Sequence, residues 1–340
     1  MNQAKNSTTE ILARKVGNDV AKKAPRVSVV IPTFNSAGFI EDTLNSVLAQ
    51  SYKDYEVVLV NDGSPDSEKL EQTLEPYFER ITYISQKNNG AAAARNTSIR
   101  NSRGEYLAFL DGDDIWYPNY LEEQVKLIDM GDFDFVYSDA LLFDKVTRDN
   151  EKFSDRAPSD EPVTTKSLLA STASVLTSGT VVRKQRVLEC GLFDEELPKI
   201  GTEDFDLWFR LARNGAKITR NDQVLLKYRI HSESLSGGSL KIAERDVMVI
   251  ELTEEKYGLT ESEKKTAAER KATANAYLDI ERGKWSLSEE KFSEALDYFR
   301  RANEHYKTLK LQVVISLISI SPKFARWLFK TLRPNEFIQT

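Results

Sequence analysis

Glu105-Tyr106-Leu107-Ala108-Phe109-Leu110 runs without a break into Asp111-Gly112-Asp113-Asp114. The first half has the character of a short buried strand, and the second half sets three carboxylates at its carboxyl end. Like charges this close raise one another's pKa unless a cation or hydrogen-bond donors hold them ionised. A solvated acidic turn is the plain alternative, since Asp and Gly are ordinary turn residues. Where such oxygens hold a metal, they select Mg2+ or Mn2+ over zinc.

Outward from this stretch, apolar runs alternate with helix-period segments from Val27 to Phe143. That alternation predicts an α/β fold with a mostly parallel, Rossmann-like central sheet flanked by helices. Strands are expected at 27–31, 56–60, 81–85, 105–110 and 133–143, with helices between them. Ligands bind beyond the carboxyl ends of strands in such sheets. The polar punctuation falls there: Pro32-Thr33-Phe34-Asn35, Asn61-Asp62-Gly63-Ser64, Lys87-Asn88-Asn89-Gly90 and the acidic cluster. Asp62 is placed to accept from a ring N–H such as uracil N3, or simply to close a turn. The helix opening at Gly90 offers free backbone N–H groups to a phosphate. Arg95, just beyond its first turn, suits either phosphate or one of the aspartates.

A second acidic feature is Glu203-Asp204-Phe205-Asp206-Leu207-Trp208, with Leu207, Trp208 and Leu211 on one helical face. Acidic residues commonly open helices. A carboxylate here also suits a general base that takes a proton from an acceptor hydroxyl. Residues 144–165 are charged and aperiodic and read as a mobile excursion. Beyond residue 240 strand signals vanish. The expected organisation is a flexible arm over 1–24, a catalytic domain over 25–239 and an all-α region over 240–340.

Gly283, Ala295, Phe299 and Ala302 match one tetratricopeptide repeat in part, and equally suit a helical hairpin with small residues at its crossing. The apolar run Leu311–Ile320 is too short to span a bilayer. It predicts a buried helix in a bundle. The following Phe324, Trp327, Leu328 and Phe329 beside Lys323, Arg326, Lys330 and Arg333 keep peripheral membrane contact as the alternative.

The net charge of −6 argues against nucleic acid as a partner. Cys190 is the single cysteine, so an intrachain disulfide and a four-cysteine zinc site are excluded. With no secretory pattern at the amino end, a cytoplasmic location is expected, at the inner face of the membrane if the carboxyl-terminal helices touch it.

Together, Val27–Asn35, Asn61–Ser64, Asn89–Asn96, Tyr106–Asp114 and Glu203–Trp208 resemble, in order and spacing, the family 2 glycosyltransferases. The resemblance covers about Val27 to Ser236. It implies a GT-A fold, a nucleotide-sugar donor, usually UDP-linked, a divalent cation (Mn2+ or Mg2+) held by an Asp-x-Asp motif, and inversion at the anomeric carbon. By position it assigns Pro32, Thr33, Asn35, Asp62, Gly90, Arg95 and Asp111 to the donor nucleotide, with Asp62 on the base. It assigns Asp113 to the metal, with Asp111 and His231 as further contacts. Asp204 is the implied catalytic base and Glu203 the second candidate. The acceptor class is a saccharide, lipid-linked or protein-linked hydroxyl, in the manner of surface polysaccharide assembly. The Gln-x-x-Arg-Trp motif and transmembrane helices of processive synthases are missing, which favours single addition. The rivals are a catalytically silent nucleotide-binding scaffold and a nucleotidyltransferase, although Pro32–Asn35 is not the glycine-rich triphosphate loop of the latter.

Overall fold

The computed structural model describes residues 9–17, 23–143, 150–157, 159–230 and 239–332. Two compact units divide the chain, the first ending at Ile230 and the second beginning at His231. This division falls beside residues 231–238, which lie outside the described residues together with His231.

The described residues of the first unit form nine strands: β1 (Ile11–Val16), β2 (Val27–Thr33), β3 (Tyr55–Asp62), β4 (Thr82–Gln86), β5 (Tyr106–Phe109), β6 (Ile115–Trp116), β7 (Phe135–Phe143), β8 (Thr180–Arg183) and β9 (Ile218–Arg229). Their order across the sheet is β1-β4-β3-β2-β5-β8-β7-β9-β6. The block β4-β3-β2-β5 is parallel throughout. Next to it β8 runs antiparallel to both β5 and β7, while β7 and β9 are parallel. The sheet is therefore mixed rather than mostly parallel. Apolar content reports burial, not strand direction, so the reversal at β8 leaves no mark on the hydrophobic pattern.

Among the described residues eight α-helices accompany the sheet: α1 (Ile40–Leu48), α2 (Ser67–Leu74), α3 (Ala91–Arg100), α4 (Tyr120–Met130), α5 (Phe153–Arg156), α6 (Thr165–Leu169), α7 (Lys184–Glu189) and α8 (Glu203–Arg213). Both faces of the parallel block are covered. Val57 and Leu59 of β3 join Ile40, Leu44 and Val47 of α1 and Leu70 and Leu74 of α2 in one cluster. Their neighbours Val58 and Val60 point to the other face and pack with Ile84 and with Ala94 of α3. This two-sided burial explains why the strands read as continuous apolar runs.

Residues 11–16, placed by sequence inside a flexible arm, form β1 on the sheet edge against β4. All six are exposed. They have no buried face and no apolar–polar alternation to announce them, and the pairing rests on backbone hydrogen bonds and on Lys15 over the Phe78 ring. Within the aperiodic 144–165 excursion, the described residues include α5 and the start of α6, the latter opened by a capping box at Thr164.

The second unit holds α9 (Ser239–Lys256), α10 (Glu261–Ser288), α11 (Phe292–Tyr306), α12 (Leu309–Ile320) and α13 (Pro322–Leu332). A Cβ on Gly283 would lie 3.0–3.1 Å from the ring of Phe299, so this glycine lets α10 and α11 approach closely. Ala295 and Ala302 are buried on either side of Phe299. Gly283→Leu is expected to destabilise this hairpin by about 1–3 kcal/mol through overpacking. Hydrogen exchange should then quicken across 261–306 and stay unchanged in β2–β5; unchanged exchange in the hairpin would rule out close packing there.

Candidate active site

The carboxyl ends of β2, β3 and β5 and the amino ends of α3 and α8 supply the candidate residues. The turn after β2 is tied to the turn after β3. The Thr33 hydroxyl donates to the Val60 carbonyl at 3.0 Å, and the Asn35 N–H donates to Ser64 Oγ at 2.6 Å. Asn35 is left-handed at φ 54°, a conformation asparagine tolerates better than most residues. Pro32 continues the β2 pairing, opposite Val60.

Asp62 is almost wholly buried, and its carboxylate accepts three hydrogen bonds: Gln86 Nε2 at 2.7 Å, Asn89 N–H at 3.0 Å and Gly90 N–H at 2.7 Å. It clamps the turn that leads into α3. Gly90 has φ 92°, open to glycine and strained for other residues, and the stem of Lys199 packs 3.0–3.3 Å from where a Cβ would stand. Asp62, Gly90 and the opening of α3 thus form one fixed piece of backbone.

Arg95 ties the two acidic motifs together. Its buried guanidinium donates through NH1 to Glu203 Oε1 at 2.7 Å and through NH2 to Asp111 Oδ1 at 2.8 Å, while the group sits over the Phe193 ring. In this structure Arg95 pairs with carboxylates of both motifs. The helix that carries Glu203 is seated by Trp208, whose ring packs against Phe109, Phe135 and Phe193.

The three aspartates after β5 differ. Asp111 is one-third exposed at its side chain and keeps Oδ2 outside the ion pair with Arg95. Asp113 is half-buried, and its carbonyl accepts from Arg229 Nε at 2.8 Å. Asp114 is buried, takes the Arg229 N–H on Oδ1 at 2.8 Å and leaves Oδ2 without a partner. Burial, with Asp113 and Asp111 adding to it, pushes the Asp114 carboxyl well above the usual range. Gly112 keeps the turn flat, since a Cβ there would stand 3.1 Å from both Ser36 Oγ and Thr33 Cγ2.

Of the pair that opens α8, Glu203 is buried in its bridge to Arg95. Burial raises its pKa, and the guanidinium pulls the other way. Asp204 is half-buried, with Oδ2 accepting from Thr177 Oγ1 at 3.1 Å and Oδ1 from the Phe205 N–H at 2.7 Å. Thr177, Ser178 and Arg229 were not foreseen. Ser178 accepts the Asp111 N–H at 3.1 Å, and its carbonyl accepts from Trp116 Nε1 at 2.7 Å. These residues lie far along the chain from the groups they hold, and no local spacing signals the contact. Arg229 alone lies close in sequence to an expected site residue, His231.

Among the described residues no group of three or more His, Cys, Asp or Glu side chains converges as a metal cage. The donor set on offer is hard oxygen from Asp111 and Asp113. It fits a cation that keeps waters and completes its shell with substrate phosphate, as Mg2+ and Mn2+ do.

The family model for glycosyl transferase family 2 matches residues 28–192. An uncharacterized glycosyltransferase of Rickettsia prowazekii is 33% identical over 221 residues, which is 64% of this chain and 68% of the relative. The chain belongs to glycosyl transferase family 2. Another relative of this family 2 chain is the Escherichia coli UDP-Glc:alpha-D-GlcNAc-diphosphoundecaprenol beta-1,3-glucosyltransferase WfgD, 28% identical and matched over 64% of this chain and 83% of its own. The first curated rickettsial relatives are longer, and the chain spans only 35% to 41% of their length. In three dimensions the family 2 chain is similar to the mannosyltransferase PcManGT from Pyrobaculum calidifontis, solved in complex with GDP-Man and Mn2+. The TM-score is 0.58 with 19% identity over 94% of this chain and 91% of that one, which shows the shared GT-A fold.

Proposed function

We propose that residues 25–239 transfer a sugar with inversion from a UDP-linked donor to an acceptor hydroxyl. The observation that carries this reading is the Arg95 bridge, which brings Asp111 and the start of α8 to one point and leaves Asp113 and Asp204 half-exposed beside it. Asp204 takes the acceptor proton as its oxygen attacks the anomeric carbon, and the bond to the nucleoside diphosphate breaks on the opposite side. Glu203 is less suited to that task, because its carboxylate is buried in the bridge to Arg95. Asp113 and Asp111 hold Mg2+ or Mn2+, which when bound neutralises charge developing on the departing diphosphate. The N–H groups that open α3 face the donor phosphates, on a turn that Asp62 keeps in place. Base recognition by Asp62 uses the acceptor capacity left on its Oδ2.

UDP is preferred over other nucleotides because WfgD names UDP-Glc as donor. By the same relative, a lipid diphosphate-linked saccharide is the proposed acceptor, in bacterial surface polysaccharide assembly. The test is calorimetric titration with UDP, dTDP and GDP, each with Mn2+ and with EDTA, repeated on Asp113→Ala. UDP should bind with Mn2+ and lose at least about tenfold in affinity in EDTA and in the variant. Equal affinity in Asp113→Ala would sink the metal assignment, and failure of all three nucleotides would favour a silent scaffold.

A further inference from the structure

The carboxyl-terminal helices present a surface that contains none of the residues assigned above to sugar transfer. From Lys307 to Leu332 the sequence holds Lys307, Lys310, Lys323, Arg326 and Lys330 and neither Asp nor Glu, in a chain of net charge −6. On α12, Leu311 and Ile318 are buried in the cluster with Leu287 and Phe299, as a bundle helix requires. The opposite side is apolar at three of its four positions, with Ser316 the exception. Leu309 is 75% exposed and Ile320 83%, with Val313 between them on the same stripe. Single exposed leucines need no explanation, but an aligned stripe directly behind a buried one does.

The next helix, α13, carries the chemistry that says what covers such a face. Ala325 is buried and Phe329 packs into the cluster. At about 100° per residue, Lys330, Lys323, Trp327, Thr331 and Phe324 fall on one arc of roughly 120° on the other side. Trp327 is 58% exposed and stacks on the exposed Phe324, ring centroids 5.6 Å apart. Arg326 instead turns inward, to the Ser288 carbonyl at 3.1 Å and Glu290 at 3.2 Å. An exposed Trp–Phe pair bordered by lysines, on a helix without a single acid, matches a headgroup layer: rings reach the acyl boundary and lysines meet anionic phosphate. Among the described residues no helix is long and apolar enough to cross a membrane, so the contact lies in the plane of the surface.

We propose that the exposed face of α13 docks the protein on an anionic lipid bilayer. A protein groove has no need to exclude acids from two whole helices, whereas an anionic surface repels each one. The test is co-sedimentation of the full chain with phosphatidylcholine vesicles made with and without phosphatidylglycerol. Phe324→Ser/Trp327→Ser and Lys323→Glu/Lys330→Glu are run beside it. All four positions are exposed, and circular dichroism with a UDP titration checks each variant's fold. Binding should require phosphatidylglycerol, weaken at about 0.5 M salt and fall at least about tenfold in either variant. Equal recovery of wild type and both variants, or recovery that ignores phosphatidylglycerol, overturns the proposal. A dimer that the Phe324/Trp327 variant dissolves would assign the face to a second copy instead.

Discussion

Replacing Asp204 with asparagine is expected to lower the rate of sugar transfer by at least about a hundredfold while leaving metal-dependent UDP affinity within about twofold. The two effects separate because of how Asp204 is held. Its Oδ1 accepts the Phe205 N–H and its Oδ2 meets the Thr177 hydroxyl. Asparagine has the same shape and keeps the first contact. The second survives as well, because the Thr177 hydroxyl can turn to accept from the new amide. Only basicity is lost. Glu203→Gln makes the opposite comparison, since it removes charge from the bridge to Arg95 and so disturbs stability and donor binding along with turnover. Donor hydrolysis to water, followed at saturating UDP-sugar, measures the rate without knowledge of the acceptor. Near-normal turnover in Asp204→Asn would move the base elsewhere, with Glu203 next in line.

How much of this was legible in the sequence depends on what each residue answers to. The parallel block could be read because two-sided burial writes 29–31, 57–60 and 106–110 as apolar runs, and polar turns mark their carboxyl ends. The acidic turn could be read because Asp111, Asp113 and Asp114 are adjacent in the chain. Their division of labour could not. It depends on Arg229, more than a hundred residues away, whose N–H and Nε fix Asp114 and the Asp113 carbonyl. Asp62 shows the same limit. Its position at the end of β3 was plain, but its three donors come from Gln86 at the end of β4 and from Asn89 and Gly90 in the turn that follows. The early half of β9 was hidden for a different reason: Arg220, Asn221, Asp222 and Gln223 carry little strand character, and pairing of Ile218, Thr219, Arg220 and Asn221 with β7 imposes the extended form ahead of an irregularity at 222–223. In α12, one hydropathy value stood for two faces with different fates. The polar residues of its apolar run 311–320, Gln312, Ser316 and Ser319, are uncharged and cover only a narrow arc, which is too little to say which side meets the bundle.

Arg95→Met is expected to be the most damaging single change in the first unit, costing about 3–5 kcal/mol at neutral pH. The guanidinium and the Glu203 carboxylate are each less than one-tenth exposed, so removing the cation strands a charge where water cannot reach it. Lysine is a poor substitute, because one ammonium cannot fork between Glu203 and Asp111. The loss should depend on pH in a defined sense. Burial already raises the Glu203 pKa, and Arg95 opposes that rise. Without Arg95 the folded-state value climbs further above the unfolded one. Between the two values the folded variant binds more protons than the unfolded chain, so its stability falls as pH rises. The deficit relative to wild type should be small near the ordinary glutamate value and grow toward pH 8, as measured by urea unfolding across that range. Arg95→Met/Glu203→Gln should regain part of the loss and flatten the pH dependence, since no carboxylate remains to be stranded. A deficit that is constant with pH would mean that Glu203 is not the charge Arg95 neutralises. Asp111 provides a separate readout. It stays partly solvated and tolerates the loss of its partner, but Arg95 no longer fixes its Oδ1, so the folded double variant should still bind UDP with Mn2+ more weakly than wild type. Restored stability with weakened binding would show that Arg95 both neutralises a buried acid and orients the one that faces the donor.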